Sequence, residues 1–145
     1  MKKKLTPEDF GITKYTWNPD GSLNVKGNID LSNKNLKVIP FKFKEVDGWF
    51  SCNNNQLTSL EGAPTKVGGG FYCSCNQLTS LEDAPIEVAG DFYCINNQLK
   101  SLEGIPRKIG GMFLCYDNPK EFTKEEIKYA MHSTNTIKFI KSIKE

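Results

Sequence analysis

The chain of 145 residues contains a single histidine, His132. That excludes every catalytic or metal site built on two imidazoles. No apolar run approaches the roughly 20 residues of an α-helical membrane span. Neither sign of charge is in large surplus: 19 Lys and Arg stand against 17 Asp and Glu, net +2. Such a balance argues against a general polyanion binder. Residues 2–4 are lysines, but Leu5, Thr6, Pro7, Glu8 and Asp9 follow in place of the apolar stretch of a secretory signal. A cytoplasmic protein is therefore expected. Apolar residues are not scarce: 38% are hydrophobic and 25% charged, as in a globular chain. Residues 1–145 read as one domain, able to bury roughly 70% of its unfolded surface.

The middle of the chain repeats itself. Residues 36–56, 57–77, 78–98 and 99–119 are four copies of 21 residues without a gap, preceded by a partial copy at 27–35. Position one of each copy is Leu36, Leu57, Leu78 or Leu99, and position four is Ile39, Leu60, Leu81 or Leu102. Position eleven is Val46, Val67, Val88 or Ile109. Position fifteen is Phe50, Phe71, Phe92 or Phe113, and position seventeen is Cys52, Cys73, Cys94 or Cys115. One copy alone cannot bury that many apolar positions, so copies must stack into a solenoid. Phe-x-Cys has the period of a strand whose alternate residues point inward. Asn55, Asn76, Asn97 and Asn118 recur just after it, which predicts a buried amide ladder serving backbone groups where the chain leaves the sheet. Gly27, Gly48, Gly69, Gly90 and Gly111 lie two residues before the Phe position, suited either to a bend with positive φ or to close packing of coils.

The segment Phe71-Tyr72-Cys73-Ser74-Cys75-Asn76-Gln77-Leu78 resembles the leucine-rich repeat phrase L-x-L-x-x-N-x-L, with Phe and Cys in place of two leucines. The resemblance spans residues 27–119. More narrowly, NPDGSLNVKGNIDLSNKNL (18–36) and the unit LTSLEGAP…VGGGFYC (57–73) resemble short leucine-rich repeat proteins encoded by tailed bacteriophages. That resemblance implies a mainly β solenoid with a parallel sheet on its concave side and irregular or short 3₁₀ turns on its convex side. It divides the chain into an N-terminal cap and partial repeat (1–35), four repeats (36–119) and a C-terminal cap (120–145).

The ends carry their own signals. Thr6, Pro7, Glu8, Asp9 and Phe10 predict a short helical turn with Pro in its first position. Residues 12–17 and 22–25 flank Asn18-Pro19-Asp20-Gly21, the turn chemistry of a hairpin cap. Thr123 and Glu126 fit a capping box ahead of an apolar stripe of Ile127, Ala130 and Met131. Ile137, Ile140 and Ile143 predict a second short helix over 137–143, with a strand as the alternative.

Four residue patterns invite a chemical reading. The cysteine row suits small buried hydrophobes: a straight row does not converge on a metal ion, so no metal and no cofactor are expected. Cys75 lies at the strand exit, where it can be accessible, and its nearest candidate base is His132, outside the repeats. Glu61, Glu82 and Glu103 form a row of like charges, read as a solvated edge. At position ten Glu45, Lys66, Glu87 and Lys108 alternate in sign, which predicts ion pairs between coils.

The outward positions of the Phe-x-Cys strand are the fourth pattern. Fourteen, sixteen and eighteen hold Trp49, Tyr72, Tyr93, Met112, Leu114, Tyr116 and Ile95, more large apolar side chains than a solvated face needs. Asp91, with Asp30 and Asp117, adds negative charge, and no Lys or Arg occupies these positions in the copies. Nucleic acid on this face is not expected, since phosphate binding relies on cations. The eight residues Trp49, Tyr72, Tyr93, Asp91, Ile95, Met112, Leu114 and Tyr116 are instead the composition of a protein interface. The expectation is a non-enzymatic protein-binding module. The phage resemblance implies that its partner is a host protein, such as a defence component, which it inhibits or redirects. Alternatives are a self-associating structural protein, pairing through an open strand edge, and an effector that recruits or modifies host enzymes. Bacterial ubiquitin-ligase effectors with short repeats add a large catalytic domain, whereas 26 residues follow Pro119 here and none is cysteine.

Overall fold

The computed structural model describes residues 3–131 and a strand at Phe139–Lys141. The chain enters through a 3₁₀ turn, Pro7–Phe10, with Asp9 accepting a hydrogen bond from the Thr6 amide at 2.8 Å. A hairpin follows: β1 (Tyr15–Trp17) pairs antiparallel with β2 (Leu23–Val25) around the expected turn, and Asp20 accepts from the Ser22 amide at 3.0 Å. Then comes β3 (Ile29–Asp30), and each full copy contributes two short strands. These are β4 (Phe43–Val46) and β5 (Phe50–Ser51), β6 (Lys66–Val67) and β7 (Phe71–Tyr72), β8 (Glu87–Val88) and β9 (Phe92–Tyr93), and β10 (Lys108–Ile109) and β11 (Met112–Leu114).

Stacking the copies produces two parallel sheets, so the chain is a mainly β solenoid of 21-residue coils. One sheet runs β2-β4-β6-β8-β10 with β1 added at its end; the other runs β3-β5-β7-β9-β11. Between the four copies the register couples each residue to the one 21 positions later, as Phe50, Phe71, Phe92 and Phe113 do in turn, while β2 meets β4 through a one-residue shift at Leu23. The valine sheet lies where the repeat resemblance implies irregular turns. Its row begins at Val25, paired with Val46, so the partial copy reaches back past Gly27 into the hairpin.

The core is built as rows. Phe50, Phe71, Phe92 and Phe113 have no exposed surface, and their rings stack at 5.4, 5.3 and 5.6 Å between centroids. Burying each ring is worth about 1.5–3 kcal/mol, and such ring pairs add about 0.5–1.5 kcal/mol. At the N-terminal end the stack turns edge-on into Phe43, then Phe41 and Phe10, which close the first coil. Leu57, Leu60, Leu78, Leu81 and Leu99 are likewise fully buried.

The glycine row answers to close packing. Among Gly27, Gly48, Gly69, Gly90 and Gly111, only Gly27 has positive φ, at 99°. A Cβ on Gly90 would stand 2.9 Å from the Gly69 carbonyl carbon, and the Gly90 amide donates to the Gly69 carbonyl at 3.0 Å. Backbone lies on backbone at this corner, where the two sheets meet.

The asparagine ladder forms as expected. Asn76 accepts from the Leu57 amide at 3.0 Å and donates to the carbonyls of Cys52 at 2.9 Å and Cys73 at 3.3 Å. Asn55, Asn97 and Asn118 repeat this pattern one coil apart. Each amide thus ties its own coil to the one before it.

Two expectations change. Glu45, Lys66, Glu87 and Lys108 form no ion pair with one another: the strand spacing aligns their backbones, but the side chains extend into solvent. The helix expected after Thr123 is present as α1 (Lys124–Ala130), with the Thr123 hydroxyl accepting from the Glu126 amide at 3.1 Å. In place of the second helix the alternative, a strand, is found: β12 (Phe139–Lys141) runs parallel to β11 and extends the phenylalanine sheet. Pairing with an open sheet edge outweighs the local three-residue spacing. Ile137, Ile143 and His132 lie outside the described residues.

Candidate functional site

Strand alternation sends Phe and Cys inward at positions fifteen and seventeen and turns their neighbours outward. All eight residues singled out from the sequence stand on that outer face, half-buried: Trp49, Tyr72, Asp91, Tyr93, Ile95, Met112, Leu114 and Tyr116. Ser51, Tyr72, Tyr93 and Leu114 form its central row through the parallel register of β5, β7, β9 and β11. The Tyr72 and Tyr93 rings are 5.1 Å apart at 56°.

The surrounding polar groups fix these rings. The Tyr93 hydroxyl donates to Asp91 Oδ2 at 3.1 Å, and the other Asp91 oxygen accepts from the Met112 amide at 2.7 Å. The Tyr72 hydroxyl reaches back along its own strand to Gly70, where a Cβ would stand 2.2 Å from it. A side chain at position seventy would therefore displace the Tyr72 ring. Asn28 accepts from the Trp49 amide at 2.9 Å, as Asp91 does from Met112. At the strand exit Asn53 accepts from the Ser74 amide at 2.7 Å, and Ser74 from the Ile95 amide at 3.1 Å. Asn28, Asn53, Gly70 and Ser74 were not singled out from the sequence. Their signal is the recurrence of short polar or absent side chains beside the aromatic positions. The sheet also continues further than expected: β12 sets the Lys141 backbone beside Leu114, so the row without basic residues ends with the fourth copy.

Burial pushes the Tyr72 phenol up from its ordinary range, and the Asp91 carboxylate adds to the effect. Tyr93 is pushed up to about 12, by burial first and then by its hydrogen bond to Asp91. Both are neutral phenols at physiological pH.

The cysteines form an inner row with a different character. Cys52, Cys73 and Cys94 donate to the carbonyls of Tyr72, Tyr93 and Leu114 at 3.5, 3.4 and 3.5 Å. Burial pushes Cys52 and Cys115 up to about 12, and Cys73 and Cys94 also stand well above the usual thiol range. Such protonated, enclosed thiols are poor nucleophiles. Cys75 is half-exposed and holds a left-handed backbone, φ 58°.

A recess follows the turns on another side of the solenoid. Val38 and Ile86, 70% and 50% exposed, rim it together with Phe41, Ala84 and Ile105. Glu61, Glu82 and Glu103 are exposed on the same turns, and each amide donates to the serine hydroxyl two residues earlier.

Fold and face together define a parallel β-solenoid carrying a fixed aromatic strip. Comparison with family models, curated proteins and solved structures finds no match to this chain. No helix among the described residues is long and apolar enough to cross a membrane.

Proposed function

We propose that this chain is a non-enzymatic protein-binding module that grips its partner through the outer face of the phenylalanine sheet. The observation that carries this reading is the strip of Trp49, Tyr72, Tyr93, Met112, Leu114 and Tyr116, half-buried on the stacked strands β7, β9 and β11 and immediately beside strand ends. Side chains already packed against neighbours lose little entropy on binding, and Trp, Tyr and Met offer large contact areas. The sequence resemblance to phage leucine-rich repeat proteins makes a host protein the expected partner, met in the host cytoplasm and inhibited or redirected by binding; a defence component fits that role.

The test is an affinity capture from host lysate, followed by measured binding to the captured protein. The double variant Tyr72→Ala/Tyr93→Ala should keep its fold and weaken binding by about 2 kcal/mol or more. Val38→Asp/Ile86→Asp, on the turn side, should bind as the parent does. The reverse outcome would move the interface to the turns.

A further inference from the structure

The aromatic strip is built around one carboxylate. Asp91 is half-buried between the Tyr93 hydroxyl of its own coil and the Met112 amide of the next. A carboxylate offers about four lone-pair sites. Two are taken by the Tyr93 hydroxyl and the Met112 amide, which fix the group without neutralising it. No ion pair engages Asp91 among the described residues. The Tyr72 and Tyr93 rings lie beside it, 5.1 Å apart. Across the four copies, positions fourteen, sixteen, eighteen and nineteen hold Asp91 and Asp117 and no Lys or Arg. A negative charge held rigid at the edge of π-faces is complementary to a flat cation. Guanidinium both stacks on aromatic rings and pairs with a carboxylate through its planar fork.

From this we infer that the face takes an arginine side chain of the partner protein, stacked on Tyr72 and Tyr93 and paired with Asp91. The inference rests on the protein-binding reading above and adds the chemistry of the partner. An anionic or wholly apolar partner surface would leave the Asp91 charge desolvated and unpaired, at a cost in affinity.

The experiment uses the full chain and a capped tetra-arginine peptide, followed by NMR. The peptide should shift the ring resonances of Tyr72 and Tyr93 and the Met112 amide. Asp91→Asn should weaken the peptide by about tenfold, the worth of a charge-assisted pair. This variant keeps an oxygen for the Met112 amide, and Asn28 already serves Trp49 in that way. Unchanged amide dispersion shows that it is folded. Shifts confined to the amides of Glu61, Glu82 and Glu103, and indifferent to Asp91→Asn, would overturn the inference. So would the absence of any shift at millimolar peptide. Either result leaves the capture experiment with the tyrosine double variant to decide the protein-binding reading separately.

Discussion

At the scale of single residues, position nineteen shows how backbone conformation selects a side chain. Asn33, Asn54, Cys75, Asn96 and Asp117 all have φ between 54 and 58°. The left-handed region costs most L-residues about 1–2 kcal/mol, and Asn and Asp relieve part of it through local hydrogen bonds. From the sequence, Asn54 reads as an outward residue that alanine can replace within about 0.5 kcal/mol. The conformation says otherwise: Asn54→Ala should cost about 1 kcal/mol although the side chain is exposed. Cys75 is the one member of the row outside the Asn and Asp pattern. Cys75→Asn should therefore gain about 0.5–1 kcal/mol in urea unfolding at unchanged m-value. A loss of stability there, with a neutral Asn54→Ala, would mean that the strand exit does not impose this conformation. The inward Asn55, Asn76 and Asn97 were legible from recurrence alone, because a buried amide must find partners. The left-handed neighbour was not, since Cys75 masks an otherwise consistent column.

At the scale of the element, two-residue strands such as β7 and β9 hold because each is paired on both sides in register, not because of local propensity. Phe-x-Cys announced the phenylalanine sheet; the valine strands β6, β8 and β10 offered only one apolar residue each, too short for a visible period. The C-terminal strand was obscured by isoleucines at helical spacing, which an open edge overrode. The cysteine row gives the sheet a pH signature. The folded thiols of Cys52 and Cys115 are raised to about 12, whereas an unfolded thiol ionises near about 8.5. The folded state then binds more protons than the unfolded one, so stability falls as pH rises. The contribution is complete below about pH 8.5 and is lost toward about pH 12, at about 1.4 kcal/mol per pH unit for each thiol. Cys52→Ala should be less stable at pH 7 and have a shallower alkaline slope by one thiol's share. Parallel slopes of the two proteins between pH 9 and pH 10.5, from urea titrations, would show that Cys52 is not held protonated by the fold.

At the scale of the whole molecule, each coil touches only its neighbours, so stability is a sum of coil and interface terms. The interior consists of rows, and a row is indifferent to which copy supplies it. Removing residues 78–98 would join Gln77 to Leu99, leaving Leu57 above Leu99, Val67 above Ile109, Phe71 above Phe113 and Asn76 above Asn118. The alternating charges at position ten form no ion pairs, so bringing Lys66 beside Lys108 costs only a screened repulsion between exposed groups. The shortened chain should fold to the same β-rich circular dichroism and melt in one transition at a lower temperature. It should also lose the tetra-arginine shifts, since Asp91 and Tyr93 leave with the coil. Deleting residues 78–97, one fewer, is a different matter. Gln98 would take the Leu position, Ser101 the second Leu position and Lys108 the valine position, which has 1% exposure at Val67. Burying an unpaired ammonium costs several kcal/mol, comparable to the whole stability of a small domain. The longer deletion should therefore be folded and the shorter one not. If both fold alike, stacking tolerates a slip of one residue, and the 21-residue register is not what holds the solenoid together.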